Sequence, residues 1–77
     1  MLRLENVEIR GNMAQADYYP ETETQSGFIR VDLETEEIVE LTTVAGYETM
    51  YPAHALRTLV RMANEGDTST TRTTRWY

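Results

Sequence analysis

Apolar residues recur at every second position, with one slip of parity, in the segments before residue 20 and over 28–43, and at every third or fourth position over 53–63, and this change of period leaves few folds open. Alternation places side chains on opposite faces of a strand, so one face of a sheet becomes apolar. A 3.6-residue period makes one stripe of a helix apolar. Two such surfaces are stable only when they cover each other. The expected class is therefore α+β: a small antiparallel sheet of four or five strands, built from two hairpins in β-β-β-β-α-β order, with one helix packed on one face.

The first hairpin can be read residue by residue. Leu2 and Leu4 share one parity, and Val7 and Ile9 share the other. A one-residue bulge near Glu5-Asn6 returns both pairs to one face. Gly11-Asn12 suits a two-residue turn. That turn sets Ile9 opposite Ala14, Val7 opposite Ala16 and Glu5 opposite Tyr18. The inner face becomes Val7, Ile9, Ala14, Ala16 and Tyr18, and the outer face Glu8, Arg10, Met13, Gln15 and Asp17. Pro20 has no N–H to give a ladder and ends the second strand. Residues 20–27 carry no large apolar group and read as an exposed, flexible connector.

A third strand over 28–33 and a fourth over 37–43 follow, joined through Glu34-Thr35-Glu36. A three-residue connection pairs Val31 with Val39 and Ile29 with Leu41 inside, and Arg30 with Glu40 outside. A helix then runs to Glu65, with Thr49 as its capping residue, Pro52 in its first turn and Gly66 as its left-handed cap. Leu56, Leu59, Val60 and Ala63 form its apolar stripe, with Ala53 and Met62 beside them. His54, Arg57, Thr58, Arg61 and Glu65 fall on the other side. Residues 1–66 form the expected α+β domain. The segment 67–77 is threonine-, arginine- and aromatic-rich, and its strand propensity favours a fifth strand over a flexible tail.

At 77 residues the chain buries only about 60–65% of its unfolded surface, which makes its stability marginal. It has no cysteine, hence neither disulfides nor thiolate metal sites, which favours the reducing cytoplasm. No stretch approaches a membrane span and the N-terminus lacks a signal-peptide run, so no membrane partner is expected. The net charge of −6 disfavours nucleic acid. Charge is also polarised, from −8 over residues 1–50 to +2 over residues 51–77. Every base other than His54 is arginine.

No residue pattern carries chemistry. His54 has no serine or orienting acid placed beside it by spacing, and reads as a surface histidine. Asp32, Glu34 and Glu36 alternate like calcium ligands and are followed by Glu37, but that glutamate stands where the loop needs glycine, and the twelfth position is Thr43. The four glycines are scattered and form no phosphate loop. No catalytic residue, metal or cofactor is expected, and the balance lies against an enzyme. The expected function is a small protein-interaction or regulatory module, with a protein partner or a second copy of itself. Its candidate surface comprises Met13, Tyr19 and Phe28 on the outer sheet face, His54, Arg57 and Arg61 on the helix, and Arg72, Arg75, Trp76 and Tyr77 in the tail. Arginine among aromatics can also grip phosphate and stack on bases, but pairing of these arginines within the fold is the plainer reading. The alternatives are an acidic decoy for a nucleic-acid-binding protein, or an enzyme built on His54.

Overall fold

The computed structural model describes residues 1–76. Five strands, β1 (Leu2–Arg10), β2 (Met13–Pro20), β3 (Gly27–Asp32), β4 (Glu37–Thr42) and β5 (Arg72–Thr74), form one antiparallel sheet in the order β4-β3-β2-β1-β5. One helix, α1 (Met50–Glu65), lies across its inner face and touches β1 to β4, β2 foremost. The fold is α+β, as the change of period requires.

β1 and β2 meet through a two-residue turn with Gly11 at φ 59, the position where a type II′ turn places glycine. Ile9 faces Ala14, as expected. The bulge lies at Asn6-Val7, where Asn6 takes φ 54, a left-handed conformation that asparagine tolerates better than most residues. Its amide donates to Asp17 at 2.8 Å, and the Val7 N–H donates to the Thr70 carbonyl instead of to β2. Below the bulge the register moves by one: Leu4 faces Tyr18 and Glu5 faces Asp17, not Tyr18. Leu2 and Leu4 thus join Val7 on the buried face.

The second hairpin departs from expectation at its turn. Arg30 faces Glu40 and Ile29 faces Leu41, but Val31 faces Ile38 instead of Val39. The Asp32 carboxylate accepts the Glu34 and Thr35 N–H groups at 2.8 and 3.2 Å, folding the chain one residue earlier than a three-residue loop. Glu36, at φ 57, completes a four-residue turn from Leu33 to Glu36. The surplus residue is returned as a bulge, leaving Val39 unpaired and 54% exposed.

Helix α1 is rotated from its expected stripe. Its buried residues are Pro52, Ala55, Thr58, Leu59 and Met62; Leu56 and Val60 are half-buried and Ala53 is exposed. Ala14, Ala16 and Ala55 are all buried, and these small side chains let the helix and sheet close on each other. Thr58 enters the core because its hydroxyl donates to the His54 carbonyl at 2.8 Å, leaving no unmet polar group. Thr49 precedes the helix but its hydroxyl makes no capping bond. Pro52 removes one orphan donor from the first turn instead. Gly66, at φ 69, ends the helix: its N–H reaches Ala63 and the next N–H, from Asp67, reaches Met62.

The tail does supply a fifth strand, but only three residues long, pairing Leu2 with Thr74 and Leu4 with Arg72. The 20–27 connector is tied at its start. Glu21 donates its N–H to the Met1 carbonyl and takes the Met1 amine at 2.9 Å, while Thr22 to Ser26 are exposed.

Candidate functional site

The outer sheet face is a polar ladder. Gln15 donates to Glu8 at 3.2 Å, Arg30 donates to Gln15 at 3.0 Å, and Arg30 reaches Glu40 at 2.7 Å, which links β1 to β4 across the middle of the sheet. Met13 stands at one end, facing Arg10 and Asp32. Tyr19 is six residues farther along β2, about 20 Å away. The structure therefore does not gather Met13, Tyr19 and Phe28 into one apolar patch. Tyr19 and Phe28 are diagonal neighbours, because Phe28 faces Asp17. Both are half-buried, with the Arg3 guanidinium 4.4 Å from the Tyr19 ring centre and that of Arg30 5.6 Å from the Phe28 ring.

A second group forms at the start of α1. The His54 imidazole stacks on Trp76, and Trp76 meets Tyr51 edge-on at 5.3 Å; Tyr51 in turn meets Tyr47 edge-on at 5.0 Å. The Tyr51 hydroxyl donates to the Glu21 carboxylate, which also holds the N-terminal amine. That bond pushes the Tyr51 phenol up to about 12, and together with the amine it holds Glu21 below the usual carboxylate range. Arg57 extends its guanidinium to the His54 ring at 3.2 Å. Burial against Trp76 and the neighbouring guanidinium lower the His54 pKa, so its neutral form is favoured. Three residues from the sequence expectation, His54, Arg57 and Trp76, thus come together. Tyr47, Tyr51 and Glu21 join them, a role that spacing alone did not assign. Among the described residues no serine or carboxylate hydrogen-bonds His54, so no nucleophile–base pair forms there.

The arginines of the helix and tail divide into two sets. Arg72 bridges Asp67 at 2.8 Å and Glu65 at 3.2 Å, pinning β5 to the end of α1. It is a clamp within the fold. Arg57, Arg61 and Arg75 are exposed and make no ion pair with a carboxylate among the described residues. Arg57 and Arg61 flank half-buried Leu56 and Val60 in a shallow depression that Glu36 borders. Tyr77 lies outside the described residues.

The feature that sequence reading missed is the β4 edge. β4 ends the sheet, so half of its backbone groups face outward without a strand partner. Val39 is 54% and Leu41 39% exposed, and with Met50 they are the exposed large apolar residues of the described chain. Alternation had assigned Val39 and Leu41 to the covered face. For Val39 the one available signal was Asp32, whose turn-forming carboxylate shifts the register; Leu41 keeps its expected partner Ile29 and is exposed at the sheet edge.

Among the described residues no three histidine, cysteine or acidic side chains gather in a metal-binding group. No helix among them is long and apolar enough to cross a membrane. The chain matches no protein-family model, no curated protein and no solved structure, so its own geometry carries the functional argument.

Proposed function

We propose that this chain is a non-enzymatic protein-interaction module, acting in the cytoplasm, that receives an extended segment of a partner along β4. The observation that carries this reading is the free edge itself, which combines outward-facing backbone groups with exposed Val39 and Leu41. Strand addition uses both: main-chain hydrogen bonds supply affinity, and side-chain contacts supply selectivity. The opposite edge strand, β5, is only three residues long and a poorer template, and the outer face carries its own polar ladder.

The test compares partners recovered by the whole chain with those recovered by V39D and L41D, using M13D as a control on the outer face. Loss of a partner in both β4 variants, with retention in M13D and unchanged circular dichroism, supports the reading. Retention in the β4 variants sinks it.

A second reading, an acidic decoy for a nucleic-acid-binding protein, draws on Glu36 and Glu37, exposed carboxylates with no ion-pair partner among the described residues. It requires binding that falls steeply with added salt.

A further inference from the structure

We propose that the segment taken up by β4 is basic as well as extended; this rests on the β4-edge reading above. Its lysine or arginine side chains would lie beside Glu37 and Glu40, and its alternate apolar side chains would continue the row of Ile38 and Leu41.

The face of each β4 residue follows from its partner. Ile38 faces Val31 and Leu41 faces Ile29, both buried, so these two point to the helix side. Glu37 faces Asp32, Glu40 faces Arg30 and Thr42 faces Phe28, on the outer side. On each side of the Val39 bulge an added strand alternates in step with β4, so its side chains meet apolar groups on one face and carboxylates on the other. Residues 32–40 hold five acids, and no lysine or arginine occurs between Arg30 and Arg57. Among the described residues Arg30 is the one base in an ion pair with a β4 carboxylate, and it is engaged by Glu40 and Gln15; Arg57 and Arg61 lie on the helix, in the depression that Glu36 borders. The edge is therefore short of cations, and opposite charges set across from each other on neighbouring strands attract while like charges repel. A second copy of this chain is a poor occupant, because it would bring its own glutamates and a net charge of −6. A basic segment satisfies backbone, apolar row and carboxylates together.

The experiment titrates the isotopically labelled whole chain with two capped peptides, Lys-Val-Lys-Val-Lys-Val and Glu-Val-Glu-Val-Glu-Val, and reads amide shifts and amide exchange. Expected are shifts and slowed exchange confined to Glu37–Thr42 and its flanks with the lysine peptide alone, reduced by salt. E37Q should weaken that binding about two- to fivefold, the loss of one exposed ion pair. If both peptides protect β4 equally, the basic preference is wrong while the edge remains the docking site. If neither touches β4, the preference and the edge reading fail together. Shifts spread over the acidic surface without slowed β4 exchange mean diffuse attraction, and overturn the proposal. The same protection in the chain alone at high concentration makes a second copy the occupant, and also overturns it.

Discussion

The Trp76 indole lies on the His54 imidazole with ring centres 3.8 Å apart and planes 11° from parallel, so the tail is held against the first turns of the helix. Trp76 also meets Tyr51 edge-on, and Tyr51 donates to Glu21 at the end of β2. The indole thus ties the tail to the helix start, and Tyr51 carries the link on to Glu21.

W76A should therefore loosen β5 and cost about 1–2 kcal/mol in urea unfolding, through lost stacking and lost apolar burial. It should also raise the His54 pKa toward its ordinary 6.5, since burial is the first cause of its depression. A proton-NMR titration of His54 separates this from simple fraying. An unchanged His54 pKa in a folded W76A would contradict the assignment.

His54 also sets an acid limit. Its folded pKa is depressed, so the unfolded chain binds more protons below pH 6.5 and stability falls as pH drops through that region. H54F, which keeps a ring on Trp76 without a titrating nitrogen, should flatten this part of the stability profile. Urea midpoints across the range provide the check.

Tyr51 and Glu21 bracket the pH range from both sides. The Tyr51 phenol, raised to about 12, contributes its full stabilisation below its ordinary 10.0 and loses it as pH climbs from 10.0 to about 12. Glu21, depressed by that phenol and by the N-terminal amine, contributes above its ordinary 4.5 and loses its share as pH falls through its folded value. Y51F should reduce the alkaline loss, to which the buried Tyr18 phenol also contributes, and weaken the acid one. Thermal melts of both proteins at the two extremes test the pair at once.

Gly27 is required by space, whereas Gly11 is required by its backbone angle. A Cβ at residue 27 would collide with the Tyr18 ring and the Thr42 carbonyl, while one at residue 11 would meet nothing but must hold φ 59. G27A should cost about 1–3 kcal/mol through overpacking at the β2–β3–β4 junction. G11N should also destabilise, by about 1–3 kcal/mol, because the first central position of a type II′ turn is a backbone region that glycine alone takes cheaply. Denaturant midpoints measure both.

The helix face gives a direct comparison. A55L should destabilise by about 1–3 kcal/mol, because Ala55 is fully buried where helix and sheet approach. A53L, at an exposed position, should change stability by no more than about 0.5 kcal/mol. Equal effects would mean that the helix faces the sheet along the stripe its periodicity suggests.

The legible parts of this fold are those governed by neighbours in the chain. The slip in parity between Leu4 and Val7 announced the bulge, and Gly11-Asn12 set the Ile9–Ala14 register. Gly66 was recognisable as a cap because few other residues take φ 69 cheaply. The second hairpin was less legible. Its pattern suits a three- or a four-residue loop until the Asp32 carboxylate chooses between them. Of the candidate surface, His54, Arg57 and Trp76 converge, Tyr19 and Phe28 stay adjacent, Arg72 turns inward, and Met13 stands apart.

By itself the sequence determined the element types, their order and the antiparallel hairpins, because periodicity, turn glycines and caps act over a few residues. Tertiary structure alone decided which arc of the helix is buried, which strand carries a bare edge, and which side chains meet at the start of α1. Apolar groups occupy a wide arc of that helix, and every rotation within it satisfies the pattern. Only packing against the sheet, β2 foremost, selects Ala55, Leu59 and Met62. The edge likewise exists only once five strands have an order, since an unpaired backbone group is defined by the neighbour it lacks.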